Sequence, residues 1–328
     1  MNATSDPLVS IVTPVFNGEP YLDECIQSVL AQKYQNWEYI ILNNCSTDGS
    51  LAIAEKYSKK DARIKVHNTR QLLPMLKNHN HALRQISPAS KYCKVVHADD
   101  LLFPECLERM VSIAEVYPTA GVIASYCLWG NRVVSDGLPY SENFLTGKDI
   151  CRLTLLDKIF VFWSPSCLLI LSDLIRKRDS FYNEKYLNAD LEACYEILQK
   201  SDFSFVHQVL TLIRRHDESV TNKIAAPYNR IILSNLRLFI KYGPIYLSPD
   251  EYKRQFKIKY RQYYHFLARS LFNLGEKEFW KYHKENLKDM GYSFSLSKLA
   301  RASVSELMHR PIATVTLLAK AITKTRNK

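Results

Sequence analysis

Lys94-Val-Val-His-Ala-Asp-Asp-Leu-Leu-Phe-Pro104 is the stretch on which the reading of the whole chain turns. With Tyr92 and Cys93 before it, Lys94-Val95-Val96 is short, apolar and β-branched, the pattern of a buried strand. Asp99 and Asp100 follow at its C-terminal edge, which in an open α/β sheet is where ligands bind. Adjacent carboxylates repel unless a cation or a donor sits between them, so the pair points to a divalent metal holding a phosphate-bearing substrate. A solvated Asp-Asp turn capping a helix that begins near Pro104 is the other reading.

Outward from this stretch, strand and helix patterns alternate. Val9-Ser-Ile-Val-Thr-Pro-Val-Phe-Asn17 is a strand running into a loop, and residues 21–32 place Leu22, Cys25, Ile26, Val29 and Leu30 on one helical face. A second strand (37–42) ends in the polar run Asn43-Asn-Cys-Ser-Thr-Asp-Gly-Ser50, with a helix over 51–59. Residues 63–67 are the third strand, with a helix near 76–86; the stretch quoted above is the fourth, its helix spans 104–115, and 120–126 is the fifth. Five such units predict an α/β, Rossmann-like, mostly parallel sheet flanked by helices. Neither G-x-G-x-x-G nor G-x-x-x-x-G-K occurs, so the dinucleotide and ATP fingerprints are missing. The loops at Thr13-Pro14-Asn17, Asn43 to Asp48 and Asp99-Asp100 are expected to line one cleft.

Composition narrows the class. A chain of 328 residues with 47% hydrophobic content and 9 glycines is a packed globular protein rather than a disordered one. Eight scattered cysteines without a CxxC pair read as reduced thiols in a reducing compartment, hence a cytoplasmic protein. The polar N-terminus lacks the pattern of a signal peptide, and no apolar run of about 18 to 20 residues suggests a membrane span. Residues 241–328 carry 18 Lys/Arg against 7 Asp/Glu, which is the whole of the net +11.

Five blocks, Thr-Pro-Val-Phe-Asn-Gly-Glu-Pro-Tyr-Leu (13–22), Ser-Val-Leu-Ala-Gln (28–32), Trp-Glu-Tyr-Ile-Ile-Leu (37–42), Ser-Thr-Asp-Gly-Ser (46–50) and His-Ala-Asp-Asp-Leu-Leu-Phe-Pro (97–104), resemble in order and spacing the family 2 glycosyltransferases of GT-A fold. The resemblance implies a nucleotide-sugar donor, a divalent metal (Mn²⁺ or Mg²⁺) and transfer with inversion at the anomeric carbon to a hydroxyl of a glycan or lipid-linked acceptor, in cell-surface polysaccharide or glycan synthesis. It places Thr13, Pro14 and Glu19 against the nucleoside, Asn44 on the uracil edge, and Lys77 and Asn80 near the nucleotide. Asp99 becomes the last carboxylate of the D-x-D metal motif. Two departures stand out. Asn43-Asn44 replaces the family's Asp-Asp, although an amide oxygen still accepts from a uracil N–H. His97 replaces the first Asp of D-x-D, so the ion would rest on Asp99, with His97 and His216 as further candidate ligands and Asp100 supporting from behind. The plain structural reading of His97 is a hydrogen-bonded histidine at the strand end.

By the same resemblance, Asp190 opens the helix that bears the catalytic base, with Glu192 as the fallback; an N-cap is the plain structural reading of Asp190. Trp163 falls in the stretch beside the acceptor, where its ring suits the C–H face of a sugar or a place in the core. Arg215 and His216 fall near the donor diphosphate or serve as surface charge. The expected organisation is a glycosyltransferase domain over 1–225, with a nucleotide-sugar half to about 125 and an acceptor half over 126–225. A basic helical region over 226–328 follows. There Val304, Leu307, Met308, Ile312, Val315, Leu318 and Ile322 keep helical spacing, and Lys320, Lys324, Arg326 and Lys328 cluster at the end. Such a segment suits an anionic membrane surface, hence peripheral attachment on the cytoplasmic face, or packing on the catalytic domain. No RNA- or DNA-binding module is present, so nucleic acid is not an expected partner. A sugar nucleotidyltransferase and a non-catalytic nucleotide-sugar-binding or membrane scaffold protein are the competing readings.

Overall fold

The computed structural model describes residues 6–216, 230–272 and 277–309. The chain divides into two compact units, Met1–Asp217 and Glu218–Lys328.

In the first unit β1 (Val9–Val15), α1 (Glu19–Leu30), β2 (Trp37–Asn43), α2 (Ser50–Ser58), β3 (Ile64–Asn68), α3 (Met75–Leu83) and β4 (Tyr92–Val95) follow one another, as the alternation predicts. Then come β5 (Leu101–Leu102), α4 (Cys106–Val116), β6 (Ala120–Trp129), β7 (Arg132–Val134), β8 (Phe144–Leu145) and α5 (Gly147–Leu155). A 3-10 turn (Pro165–Cys167), β9 (Leu168–Leu171), α6 (Ser172–Arg176), α7 (Ala189–Ile197) and β10 (Asp202–Ile213) complete it. The sheet order is β3-β2-β1-β4-β9-β6-β10-β5, with β7 on β6 and β8 on β10. β1, β2, β3 and β4 pair in parallel, as do β6 and β10, while β9 lies antiparallel between β4 and β6. That insertion comes from a segment some 70 residues downstream of β4, which periodicity along the chain does not reveal.

Every residue of β1 and of β2 is buried, as expected of central parallel strands with helices on both faces. Val9, Ile11, Trp37, Tyr39 and Ile41 join Leu22, Cys25, Ile26 and Val29 of α1 and Leu107, Met110 and Val111 of α4 in one core. Each such side chain contributes about 1.5–3 kcal/mol on burial. Pro14 sits inside a central strand without breaking it. Its missing N–H would face β4, but the β1–β4 pairing has already ended at Val12 opposite Val95. The two strands therefore part at their C-terminal edge, where the polar loops emerge.

At the opposite edge, Glu38 ties three strands together. It accepts hydrogen bonds from the Ser10 hydroxyl at 2.6 Å and the Ser87 N–H at 2.7 Å, and pairs with Lys65 at 2.8 Å. Burial pushes its carboxyl up, but Lys65, Ser10 and Ser87 outweigh that and hold it below the ordinary value of 4.5.

The second unit is helical: α8 (Arg230–Tyr246), α9 (Pro249–Phe272), α10 (Lys277–Asp289) and α11 (Leu296–His309). Tyr252, Phe256, Tyr260 and Tyr264 recur every fourth residue on α9, so their rings meet along one face. Tyr263 is fully buried and shares a 2.7 Å hydrogen bond with Nδ1 of His283. On α11, Val304, Leu307 and Met308 are exposed. The remaining positions of the expected apolar face, Ile312, Val315, Leu318 and Ile322, and the basic cluster at 320–328 lie outside the described residues. No helix among those described is long and apolar enough to cross a membrane.

Because Glu38 is depressed by partners present only in the folded state, its contribution is full above pH 4.5 and lost as the pH falls through its lowered native value. Glu38→Ala should cost about 2–3 kcal/mol at pH 7, since a buried Ser10 hydroxyl and an N–H lose their acceptor. Urea unfolding of wild type and variant at pH 7 and pH 3 should show that gap narrowing at the lower pH.

Candidate active site

Where β4 leaves β1, residues 97–100 turn across the sheet edge. The His97 N–H donates to the Ser166 hydroxyl at 3.0 Å, so the 3-10 turn before β9 holds the end of β4. β5 follows Asp100 at once and pairs with β10, Leu101 lying opposite Leu212. This register brings the Arg214 N–H to Oδ1 of Asp100 at 3.4 Å and Nε2 of His216 to Oδ2 of Asp99 at 2.8 Å. Two segments more than 110 residues apart thus meet at the carboxylates. The ring of Tyr21 of α1 packs at a tilt against His216, with centroids 4.8 Å apart. Arg214 is held between the Tyr21 ring and a close ion pair with Glu24.

His97, Asp99 and Asp100 offer ligand atoms that all lie within 4.8 Å of one another. Asp100 is 2% exposed, and its Oδ2 has no hydrogen-bond partner among the described residues. Burial pushes its carboxyl up to about 6; His97 draws it down, Asp99 raises it, and the Ser166 hydroxyl and Arg214 N–H lower it. A buried carboxylate with a bare oxygen beside a second carboxylate and an imidazole is a donor set that a hard divalent cation satisfies. The residues present therefore fit Mn²⁺ or Mg²⁺. Asp100 is not a helix cap: α4 begins at Cys106, and the residue preceding it is Glu105.

Asp190 stands in the first turn of α7 and is not its N-cap, a position taken by Asn188 at φ +60°. Burial pushes the Asp190 carboxyl up, while the amides of Leu191 and of Asp190 itself and the nearby His97 pull it back. Glu192 is buried, and two residues along a helix turn the side chain about 200° away from Asp190. Only one of the two can face the same space. His79 lies edge-on to His97 at 5.5 Å, its Nδ1–H donating to the Met75 carbonyl and its pKa lowered to about 4 by burial and by His97.

The other expected donor contacts are placed as follows. Thr13 is fully buried; its hydroxyl donates to the Val96 carbonyl and is hydrogen-bonded to the Tyr39 hydroxyl, both at 2.8 Å, so it joins β1 to its neighbours. Pro14 is buried beside it. Glu19 accepts from the Gly49 N–H at 2.7 Å, and its own N–H donates to Asp48 at 3.0 Å. A Cβ on Gly49 would stand 2.7 Å from that carboxylate, so a larger residue there would push the Glu19 side chain aside. Asn44 accepts from the Leu73 N–H and donates to the Leu73 carbonyl, both at 2.9 Å, which commits its amide to the loop before α3. Asn80 is likewise committed, with its NH₂ donating to Ser180, Tyr182 and Glu184 and its oxygen accepting from the Tyr182 N–H at 2.8 Å. Its work is to hold the segment leading to α7. Lys77 is exposed on the first turn of α3.

Arg215 turns its guanidinium onto Trp129 at 4.3 Å, and Trp163 lies edge-on to Trp129 at 5.6 Å and to Phe160 at 5.7 Å. Sequence reading missed Trp129, Tyr21 and His79. Tyr21 lay within a recognised block, whereas nothing in the spacing of Trp129 or His79 marks them.

A sheet of this order, with polar loops at the parting of β1 and β4 and acidic groups on them, is the GT-A arrangement of glycosyltransferases. The family model "Glycosyl transferase family 2" matches residues 10–175, and the chain belongs to that family. An uncharacterised glycosyltransferase of Haemophilus influenzae is 29% identical over 194 residues, covering 56% of this chain and 58% of that protein. The solved structure of Staphylococcus aureus TarS 1-349 in complex with UDP-GlcNAc is similar at a TM-score of 0.66 and 17% identity, over 98% of this chain and 92% of that one. The mannosyltransferase PcManGT from Pyrobaculum calidifontis, in complex with GDP-Man and Mn²⁺, is similar at 0.57 and 15% identity, over 99% and 89%.

Asn80→Ala would leave the buried N–H and carbonyl of Tyr182 without their partner, a loss of about 2–4 kcal/mol. The expected result is a lower denaturation midpoint together with faster tryptic cleavage at Lys185. Unchanged cleavage would mean that Asn80 does not hold this segment.

Proposed function

We propose that this glycosyltransferase moves a sugar from a UDP-sugar to a hydroxyl of a glycan or lipid-linked acceptor, with inversion and with help from a divalent metal, in the synthesis of a cell-surface polysaccharide or glycan. The observation that carries this reading is the cluster of His97, Asp99 and Asp100, with its bare buried carboxylate oxygen, at the sheet edge of a family 2 fold. UDP-GlcNAc in TarS and GDP-Man with Mn²⁺ in PcManGT support a nucleotide-sugar donor, and the former favours UDP.

Asp99 would be the principal ligand for the ion, with His97 and His216 as further ligands and Asp100 supporting them. Bound there, Mn²⁺ or Mg²⁺ would offset charge on the departing nucleoside diphosphate. Asp190 accepts the proton of the acceptor hydroxyl as that oxygen attacks the anomeric carbon, while the bond from that carbon to the diphosphate oxygen breaks on the opposite face. The upward push on its pKa suits a base that must hold this proton through the transfer. Tyr21 orients His216 by packing its ring against the imidazole. Residues 1–225 carry this chemistry, the first 125 on the donor side and 126–225 on the acceptor side. The basic helical region over 226–328 holds the protein to an anionic membrane surface on the cytoplasmic face, its exposed Val304, Leu307 and Met308 supplying apolar contact.

A binder of the folded state raises the melting temperature by mass action. Among UDP, GDP, CDP and dTDP, UDP should give the largest upward shift, and only with Mn²⁺ present; no shift from any nucleotide would sink the donor assignment. Asp190→Asn should lose about 10²–10⁴-fold in transfer while UDP still raises the melting temperature. Undiminished transfer by that variant would remove Asp190 as base, and an absence of turnover in the wild type with any UDP-sugar would favour a binding protein.

A further inference from the structure

One end of β6 carries a platform of two indoles and two guanidiniums that the chemistry above does not use. Trp129, the last residue of β6, lies directly opposite Arg132 across the β6–β7 hairpin, and opposed residues of an antiparallel pair project from the same face. Arg215 covers Trp129 from the other strand, and Trp163 and Phe160 extend the aromatic surface. The hairpin tip is shaped for this. Gly130 has φ +62°, and a Cβ there would come within 3.0 Å of Cδ of Arg215, so the arginine stem crosses the chain where no side chain stands. Arg132, Arg215 and Phe160 are exposed, and both tryptophans are partly so. Among the described residues neither arginine has a carboxylate partner.

The platform is joined to the candidate centre by the chain itself. Arg215 immediately precedes His216, which is bonded to Asp99. Trp163 lies three residues before Ser166, whose hydroxyl holds the His97 N–H.

We propose that this platform is an acceptor subsite for an anionic saccharide, the sugar ring lying on the indoles and its carboxylate or phosphate held by Arg132 and Arg215. The inference rests on the glycosyltransferase reading above and adds the class of acceptor. Indole faces take the C–H face of a pyranose whatever its charge, so rings alone would select no particular sugar. A guanidinium stacked on an indole is fixed in orientation while its N–H edge stays open, and that planar fork matches the two oxygens of a carboxylate or phosphate. Arg215, stacked in this way, and Arg132, projecting from the same face of the hairpin, favour a sugar bearing an acid over a neutral one.

The test titrates the full chain with trigalacturonic acid, glucose 1-phosphate, maltotriose and inorganic phosphate, following intrinsic tryptophan fluorescence. Saturable binding of either acidic saccharide is expected, with maltotriose and inorganic phosphate at least about tenfold weaker, and with Arg132→Gln and Arg215→Gln each weakening it about tenfold or more. Far-UV circular dichroism checks that these exposed positions leave the fold intact. Equal binding of maltotriose, equal binding of bare phosphate, indifference to both arginine substitutions, or no saccharide binding at all would overturn the proposal. So would displacement of the acidic saccharide by UDP, which would assign the arginines to the donor diphosphate. The UDP and Mn²⁺ thermal shift, measured on the same wild-type protein, keeps the two readings apart. A shift without saccharide binding removes the subsite alone, and no shift removes the donor reading beneath it.

Discussion

A carboxylate sealed at 2% exposure, with a second carboxylate beside it, is costly to bury. The elements around Asp100 are arranged to tolerate it. β10 supplies the Arg214 N–H, the 3-10 turn supplies the Ser166 hydroxyl, and the turn of chain that carries Asp100 also carries His97. Each comes from a different part of the chain, and each depends on sheet register: Leu101 opposite Leu212 sets Arg214, and Thr211 bonded to the Ser166 carbonyl at 3.0 Å sets the turn. The sheet order is in this sense a device for bringing three segments to one buried charge.

The antiparallel insertion of β9 is what makes that convergence possible. With β6 directly beside β4 the parallel ladder would be unbroken, and residues 164–167 would have no route to the edge. Instead β9 enters from that edge, so the turn preceding it stands next to His97 while β6 and β10 run alongside. The scaffold beneath is rigid for an ordinary reason. β1 and β2 are buried along their whole length, and Glu38 pins their far ends, leaving the loops to carry the chemistry.

Most of the donor-side fold was legible, because β1 to β4 and their helices follow one another with short connections and clear periods. The acidic pair at 99–100 was legible for the same reason, since it ends a strand. The amides were not. Asn44 and Asn80 occupy positions that suggest ligand contact, yet their partners are Leu73 and Tyr182, 29 and 102 residues away, and no local pattern marks a side chain that will be committed to distant backbone. The Thr13 hydroxyl, bonded to Val96 of the neighbouring strand, is a further distant contact that no local pattern marks. Trp129 and Arg215 were invisible as a pair, because their contact depends on β10 lying beside β6.

The reciprocal pairing of Asn44 with Leu73 ties two features that would otherwise vary independently. An amide can accept from an N–H and donate to a carbonyl of the same residue; a carboxylate at position 44 could do only the first, and would set its second oxygen against the Leu73 carbonyl. Side-chain chemistry at 44 and the path of the loop over 69–74 are therefore coupled by epistasis. A chain with an acid at this position would be expected to carry a different loop as well, since the Leu73 carbonyl would lose its donor.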